Sequence, residues 1–232
     1  HALSTDAIAG LSSTQLHAFS TTDLQALTTD QIVALETADL ASLSMAQATA
    51  FTSDQAAALS TSQLDALLAA SPVVLDLNGD GVHTIAAGHG VQFDLNATGV
   101  ESQVGWVSAS DGLLVMDRNH DGKINNGSEL FGAASGDGFA ELAALDSDGN
   151  GWIDEADPAF KDLQVWSPGA QGGGQLRSLA EAGVGALALS RVATPFHLNT
   201  AANQNLGLIR DSGIFLRESG EAGTIQQIDL TV

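Results

Sequence analysis

The stretch Asp146-Ser-Asp148-Gly-Asn150-Gly151-Trp152-Ile-Asp154-Glu-Ala-Asp157 carries oxygen side chains at its first, third, fifth, ninth and twelfth positions. Glycine stands at the sixth position, where a tight loop must turn sharply, and the carbonyl of Trp152 is available at the seventh. This spacing wraps hard oxygen ligands around one cation, as in an EF-hand. Aspartate replaces the usual glutamate at position 12, and its shorter reach is expected to weaken binding. The stretch predicts a calcium site of moderate affinity.

Three loops of related spacing precede this one, and we number the four loops in chain order. Loop three, Asp117-Arg-Asn119-His-Asp121-Gly122, has its closing carboxylate, Glu129, one residue later than a standard EF-hand. Loops one and two, which begin at Asp76 and Asp94, have no acid at position 12 and need ligands from elsewhere in the fold. One such run is often only an Asx-rich turn, but four in about eighty residues favour metal binding. The predicted metal ligands are Asp76, Asn78, Asp80, Asp94, Asn96, Thr98, Asp117, Asn119, Asp121, Lys123, Asn125, Glu129, Asp146, Asp148, Asn150, Trp152, Asp154 and Asp157.

The composition narrows the classes of partner. The chain has 232 residues, a formal net charge of -21 and no cysteine. Nucleic acid and anionic membranes need a cationic face, so the charge argues against both as partners, and a disulfide framework or thiolate metal site is excluded. No stretch reaches the roughly 18 uninterrupted apolar residues of a membrane span. Calcium ions fit better, because each would cancel two negative charges.

The residues before position 72 repeat with a period of eight, roughly as Ser/Thr-Thr-x-Gln/Asp-Leu-x-Ala-Leu. One long helix cannot explain this period, because eight residues turn about 800 degrees and the apolar stripe would drift by about 80 degrees per repeat. The helix must therefore break in each unit. The apolar residues fall in two phases, one with Leu3, Leu11, Phe19, Leu27, Leu35, Leu43, Phe51, Leu59 and Leu67, the other with Ile8, Leu16, Leu24, Ile32, Leu40, Ala48, Ala56 and Leu64.

Recurring hydroxyl residues mark the predicted breaks. Each is followed three residues later by Gln or Asp, which resembles a capping box. The pairs are Ser12 and Gln15, Ser20 and Asp23, Thr28 and Gln31, Ser44 and Gln47, Thr52 and Gln55, and Ser60 and Gln63. We expect short helical turns that coil into a solenoid and serve as a stalk or spacer. A disordered Ala/Ser/Thr linker is the alternative.

The Ser71-Pro72 dipeptide marks the expected boundary between this helical segment, residues 1–71, and a second domain, residues 72–232. Short strands are predicted at 73–77, 91–95, 104–109 and 113–116, and helices at 139–145 and 175–182. Pro158 suits the first turn of a helix that leaves loop four. Residues 214–217 and 224–230 predict a closing β-hairpin. The predicted class is α+β: an N-terminal solenoid followed by an EF-hand-like calcium domain.

Five segments of the second domain occur together in a particular order. They are Pro72-Val-Val-Leu-Asp-Leu-Asn-Gly-Asp-Gly-Val, Gly105-Trp106-Val107, Asp111-Gly-Leu-Leu-Val, Gly127-Ser-Glu-Leu-Phe-Gly132 and Leu163-Gln-Val-Trp166. In this order and spacing they resemble the calcium-dependent self-processing module of iron-regulated Frp-type RTX proteins. The resemblance covers roughly residues 72–189 and leaves the octad repeat outside. It implies a calcium-loaded module and a protein secreted by a type I system.

The resemblance also implies a reaction at the N-terminal edge of the module. In that family the aspartate of an Asp-Pro bond attacks its own peptide carbonyl, and the resulting anhydride is hydrolysed or captured by a lysine amine. The matching bond here is Ser71-Pro72, and serine has no carboxylate that could form the anhydride. The remaining Asp-Pro bond, Asp157-Pro158, lies inside loop four, where a metal ligand followed by a helix-starting proline explains it better. No catalytic residue is assigned.

Three functions remain open from the sequence. The leading hypothesis is a calcium-binding structural module of a large secreted RTX-type protein or adhesin, which folds on calcium binding outside the cell, with a cell-surface or matrix partner left open. The alternative is a self-processing Asp-Pro peptidase or ligase module in which Ser71 replaces the scissile aspartate. A third is a haem- or glycan-binding surface that uses Trp106, Trp152 or Trp166, although aromatic residues beside such loops are more often core.

Overall fold

The computed structural model describes residues 4–12, 15–16, 18–40, 43, 45–48, 50–60, 63–64, 67, 70–97, 99–133, 135–168 and 174–231. Its contacts divide the chain into two compact units, His1–Ala69 and Ala70–Val232. The first unit contains short helices, and the second is built on a largely antiparallel β-sheet.

Short helices form the first unit, as the octad pattern predicts. Their bounds are Thr5–Ala9, Thr21–Gln25, Thr29–Val33, Thr37–Leu40, Met45–Ala48 and Ser53–Ala58. Capping boxes begin three of them, at Ser20, Thr28 and Thr52, so the predicted breaks are confirmed there. The same reciprocal bonds join Ser12 with Gln15 and Ser60 with Gln63. Ser44, the predicted cap before Gln47, and the apolar residue Leu3 lie outside the described residues.

The two apolar phases of the repeat pack into one cluster. Residues of the second phase such as Leu16, Leu24 and Ile32 are fully buried, and first-phase residues such as Phe19 and Leu27 are partly buried against them. The helix Thr29–Val33 contacts both Thr5–Ala9 and Ser53–Ala58, which lie three octads away on either side. These helices therefore bury their apolar sides against repeats that lie three octads away.

Several capping glutamines also bind earlier parts of the first unit through their amide nitrogens. Gln55 Nε2 donates to the carbonyls of Leu24 (2.9 Å) and Leu27 (2.7 Å). Gln63 Nε2 makes equivalent bonds to the carbonyls of Val33 and Leu35, and Gln47 Nε2 to that of Phe19. The bonded residues are 28 to 31 positions apart in the sequence. One side chain thus caps its own helix and satisfies the carbonyls at the end of a distant one.

The second unit contains twelve strands among the described residues. They are β1 Val73–Asp76, β2 Thr84–Ile85, β3 Val91–Phe93, β4 Ser102–Val104, β5 Trp106–Val107, β6 Asp111–Met116, β7 Trp152–Ile153, β8 Leu163–Pro168, β9 Gly174–Ser178, β10 Val184–Asn199, β11 Asn205–Arg217 and β12 Ala222–Leu230. Eight form one sheet in the order β7-β10-β11-β12-β1-β6-β8-β9, and every pairing in it is antiparallel. The pairs β2 with β5 and β3 with β4 form two small separate sheets.

The large sheet has an apolar core on each face. Because side chains of a strand alternate between faces, neighbouring residues of β1 and β6 belong to different clusters. Val74 and Leu113 pack with Phe93, Trp106 and Trp166 on one face. The other face holds a second cluster, which includes Val73, Leu75, Leu114, Phe131, Phe139 and Phe215. Two of the three tryptophans therefore belong to the core.

The structure differs from the sequence prediction in the part of the chain that follows loop four. The helix predicted at 175–182 is wrong, because residues 174–178 form β9 and pair with β8 along its whole length. The predicted hairpin is present, but its strands extend over Asn205–Arg217 and Ala222–Leu230, and the 16-residue strand β10 was not foreseen. The helix expected after loop four is only the 3-10 turn Phe160–Asp162. Cross-strand pairing here outweighs local helix preference.

Candidate metal centre

Loop four lies between the helix Gly138–Ala143 and the 3-10 turn Phe160–Asp162, and it contains the edge strand β7. Three of its carboxylates converge: one oxygen from each of Asp146, Asp148 and Asp157 lies within 4.8 Å of the other two. They occupy positions 1, 3 and 12 of the predicted loop. Carboxylates at such separations repel one another. These three side chains could hold one metal ion, and we call them the loop-four cluster.

The backbone of loop four fixes its first carboxylate. Gly149 N–H donates to Asp146 Oδ1 (2.8 Å), and Gly151 N–H donates to Asp146 Oδ2 (3.0 Å). The φ angles of Gly149 and Gly151 are 73° and 83°, in the left-handed region that residues with a Cβ resist. The two glycines in the motif therefore have a physical role: they bring two N–H groups onto one carboxylate.

Asp157 closes the loop. Its side chain is 2% exposed and accepts hydrogen bonds from the Ser147 N–H (2.7 Å), the Ser147 hydroxyl (2.9 Å) and the Asp154 N–H (3.2 Å). The bond from the Ser147 N–H is the main reason that the pKa of Asp157 lies below its ordinary value. The carboxylate is therefore ionised at neutral pH and can act as a metal ligand.

The remaining predicted ligands of loop four lie beside the cluster. Asn150 Nδ2 donates to Asp148 Oδ2 (3.1 Å) and Asp154 Oδ2 (3.4 Å), and its Oδ1 accepts from the Trp152 N–H (2.7 Å). The Asp154 carboxylate is not a member of the loop-four cluster. Ile153, at position 8, is fully buried and pairs with Leu187 of β10, so the loop is anchored to the edge of the large sheet.

Loop three has a similar pattern of internal bonds. Asp117 Oδ2 accepts from the Gly122 N–H (2.8 Å), and Asn119 Oδ1 accepts from the Asp121 N–H (2.9 Å). The pKa of Asp121 is lowered, mainly by a hydrogen bond from Asn125 Nδ2. Lys123 donates its N–H to Asp121 Oδ1 (2.9 Å). Four predicted ligands of this loop are thus linked through Asp121.

Glu129, the late closing residue of loop three, is 2% exposed. Its Oε2 accepts from the Asn125 N–H (2.7 Å), which turns the side chain back towards the loop. Its Oε1 is buried and has no hydrogen-bond partner among the described residues. Leaving a carboxylate oxygen buried without a partner is costly, and a bound cation would offset this cost.

Loops two and three are joined to each other. Asp94 of loop two forms a β-bridge with Asn126, and Gly127 N–H donates to the Asp94 carbonyl (2.9 Å). The Asp94 carboxylate accepts from the Gly99 N–H (2.7 Å). Asn96 Oδ1 is buried and lacks a hydrogen-bond partner within the described part of the chain. Thr98, the predicted ligand at position 5, lies outside the described residues.

Loop one follows β1, the strand at the middle of the sheet. Asp76 is 4% exposed and accepts from the Gly79 N–H (2.7 Å) and the Gly81 N–H (2.9 Å). Asn78 Oδ1 accepts from the Asp80 N–H (3.3 Å), and the Asp80 side chain is exposed. The loop therefore has a buried carboxylate at Asp76 and an exposed one at Asp80.

A carboxylate that the loop spacing does not mark lies beside loop one. Asp111 begins β6, is fully buried and is the direct cross-strand partner of Asp76. Burial raises the pKa of Asp111, while hydrogen bonds from the His83 N–H (3.0 Å) and the Ser108 hydroxyl (2.8 Å) act in the opposite direction. Asp111 Oδ1 has no hydrogen-bond partner among the described residues. The sequence signal was an acid at the start of an apolar strand.

The ligand chemistry fits calcium. The donors are carboxylate and amide oxygens, which calcium binds in flexible arrangements of six to eight ligands. Three buried oxygens in or beside the loops lack hydrogen-bond partners within the described residues: Asn96 Oδ1, Asp111 Oδ1 and Glu129 Oε1. Together with the loop-four cluster, they leave negative charge and lone pairs that a cation would satisfy.

Ser71, the residue before Pro72, is fully buried. Its hydroxyl donates to the Asp229 carboxylate, which also accepts from Arg210 Nε (2.5 Å). The following carbonyl, that of Pro72, accepts from the Ile228 N–H (3.0 Å). The Ser71 hydroxyl thus belongs to a polar group with Arg210 of β11 and Asp229 of β12.

Comparison with known proteins places both parts of the chain. The SPM domain family matches residues 73–231, more than half of the chain, and the ALTTAQ repeat family matches residues 1–37 and 32–68. Iron-regulated protein FrpA of Neisseria meningitidis serogroup C is 46% identical over 133 residues, which cover 51% of this chain. The matched region is only 12% of the length of that relative. Within the described residues, no helix is long and apolar enough to span a membrane.

Proposed function

The chain belongs to the SPM domain family, and from this membership we propose that it is a calcium-binding structural module of a large secreted RTX-type protein or adhesin. It folds on calcium binding after type I secretion and works outside the cell or at its surface. Calcium is the cofactor, and the four loops supply its ligands. The loop-four cluster is the single structural observation that carries the proposal, since three carboxylates within 4.8 Å of one another could hold one cation.

Calcium is favoured over magnesium by the form of the ligand set. Magnesium requires near-ideal octahedral geometry and keeps several of its waters, so all-protein cages rarely suit it. Loop four instead offers clustered carboxylates on a twelve-residue loop whose glycines shape the backbone around them. Such a loop adapts to the longer and more variable calcium–oxygen distances.

The charge of the chain links calcium binding to folding. At a net charge of -21, the calcium-free chain repels itself, and each bound calcium would remove two negative charges. Loops two and three join through Asp94 and Asn126, and loop four carries the edge strand β7. Ions in these loops therefore stabilise contacts between elements that are distant in sequence. In a calcium-poor cytosol the module stays loose enough for export, and outside it becomes compact.

The octad repeat serves as a helical stalk, which we propose is a solenoid with about three octads per turn. Support comes from the packing of the helices Thr5–Ala9, Thr29–Val33 and Ser53–Ala58, and from the glutamine bonds between distant repeats. These bonds make the turns of the proposed solenoid depend on one another.

Replacing Gln55 by Met tests the proposed solenoid. Gln55 is 3% exposed, and the change removes its capping bond and leaves the Leu24 and Leu27 carbonyls without this donor. We expect a loss of about 2–4 kcal/mol of stability in the first unit, since each buried unsatisfied group costs about 1–3 kcal/mol. Gln15→Met is the matched control: this exposed glutamine caps Ser12, so its loss should cost only about 1 kcal/mol. Urea unfolding followed by far-UV circular dichroism measures both, and equal losses would contradict the solenoid.

Self-processing at residue 71 is the second candidate function, because the chain belongs to a family that the resemblance links to Asp-Pro cleavage. Ser71 has a hydroxyl in place of the carboxylate, and that hydroxyl is bound to Asp229. An anhydride with the peptide carbonyl cannot form from a serine. We therefore propose that the Ser71-Pro72 bond stays intact when calcium is added.

One experiment tests both parts of the proposal. Chelator-stripped protein is titrated with calcium, and native mass spectrometry counts the bound ions while denaturing spectra give the chain mass. We expect saturable binding of two or more calcium ions, a much weaker response to magnesium, and an unchanged chain mass. A wild-type protein that binds no calcium would overturn the calcium function. Fragments that separate at residue 71 would establish the self-processing function instead.

A further inference from the structure

Asp76 and Asp111 form a buried pair of carboxylates at the end of two inner strands of the large sheet, β1 and β6. They are direct partners in the antiparallel ladder between β1 and β6, so their side chains lie on the same face of the sheet. Asp76 is 4% exposed and Asp111 is fully buried. Like charges directly opposite one another destabilise a sheet, and burial strengthens the repulsion. A pair of this kind requires a compensating partner.

The protein atoms around the pair compensate it only in part. Both oxygens of Asp76 accept backbone N–H groups of loop one, from Gly79 and Gly81. Asp111 Oδ2 accepts from the His83 N–H and the Ser108 hydroxyl, whereas Asp111 Oδ1 is buried without a hydrogen-bond partner. Within the described chain, neither carboxylate belongs to an ion pair. Arg217 reaches only the backbone carbonyl of Asp76, at 3.3 Å.

Asp111 Oδ1 is the oxygen of the pair that the described residues leave without a hydrogen-bond partner. Asp111 Oδ2 accepts two hydrogen bonds, and each oxygen of Asp76 accepts one. A cation would supply the partner that Asp111 Oδ1 lacks and would compensate the pair.

Loop one lacks the feature that Asp111 would supply. Its position 12 is Ala87, so the loop has oxygen side chains at Asp76, Asn78 and Asp80 but no closing carboxylate of its own. We propose that Asp111 closes a divalent cation site of loop one, across the sheet from Asp76, and so replaces the missing ligand at position 12. This inference rests on the proposed calcium function, and it adds a fourth oxygen-bearing side chain, from β6, to the three of loop one. The loop is thereby tied to β6 as well as to β1.

The test replaces Asp111 by Asn, which keeps the size of the side chain and removes its charge. Native mass spectrometry of the calcium-titrated chain is expected to show one ion fewer than in the wild type. The control is Glu101→Gln, which removes the same charge from an exposed residue and should keep the full number of ions. Asp80→Asn, at an exposed loop-one position, should weaken the same ion at least tenfold without disturbing the buried pair.

The outcomes separate this inference from the proposed function. If Asp111→Asn keeps every ion and its affinity while Asp146→Ala loses one, the calcium module stands and the role of Asp111 is overturned. If the wild type binds no calcium, the proposed function itself fails. Should Asp111→Asn fold too poorly to measure, the double variant Asp80→Asn with Asn78→Ala decides: it must lose the loop-one ion, and retention of all ions overturns the site.

Discussion

Asp146→Ala is expected to remove one bound calcium ion and the stability that this ion contributes. When free calcium exceeds the dissociation constant of a site a hundredfold, the ion adds about 2.7 kcal/mol to the free energy of unfolding. Asp146 is one of three carboxylates within 4.8 Å of one another, and it stands at the first position of the loop. Without it, only Asp148 and Asp157 of the cluster remain to bind the ion. The site should therefore be lost.

Two measurements separate the calcium effect from simple damage to the loop. Asp146 also accepts the N–H groups of Gly149 and Gly151, so its replacement will cost some stability even without calcium. Urea unfolding with calcium and with chelator gives the calcium-dependent part as the difference. Glu155→Ala is the matched control, since it removes an exposed carboxylate of the same loop that is outside the cluster.

The control variant should keep both the ion count and the calcium-dependent stabilisation. If Asp146→Ala also keeps both, loop four is an Asx-rich turn and the ligand assignment there is wrong. If both variants lose one ion, the effect comes from net charge and not from ligand geometry. Because the charge change is the same in the two variants, the comparison isolates the position of the carboxylate.

The local features of the chain were predictable because they depend on residues that are close together in the sequence. The capping boxes at Ser20, Thr28 and Thr52 follow from a hydroxyl and a Gln or Asp three positions later. The convergence of Asp146, Asp148 and Asp157 follows from the spacing of loop four and its glycines. In each case, the physics acts within about twelve residues, so no knowledge of the tertiary fold was needed.

The missed features depend on residues far apart in sequence. Asp111 faces Asp76 because β1 and β6 pair in one register, which no local pattern reveals. Residues 174–178 became a strand because β8 offered its free edge, although the segment alone favours a helix. The second bond of Gln55, to carbonyls 28 to 31 residues away, likewise requires the packed repeat. Tertiary contacts determine these three features, and such contacts cannot be predicted from local patterns in a single sequence.

Gly127→Ala is expected to destabilise the second unit by about 3 kcal/mol or more. The added methyl group would clash with backbone atoms, and a change of side-chain rotamer cannot relieve such a clash. A Cβ on Gly127 would lie 1.7 Å from the carbonyl oxygen of Leu95 and 2.6 Å from its carbonyl carbon. The Gly127 N–H also donates to the Asp94 carbonyl, at the junction of loops two and three. To admit the methyl group, the two loops must separate, and the bridge between Asp94 and Asn126 must break.

Gly88→Ala is the control for this variant, because a Cβ there meets no heavy atom within 4 Å. Its effect should stay within about 0.5 kcal/mol, as for ordinary surface changes. Urea unfolding in saturating calcium compares the two, and equal stabilities would show that the loops are not in contact at Gly127. The total free energy of unfolding of a domain is about 5–15 kcal/mol, so the loss expected for Gly127→Ala is a large fraction of it. Calcium cannot restore it, because the methyl group separates the loops that would have to close around the ions.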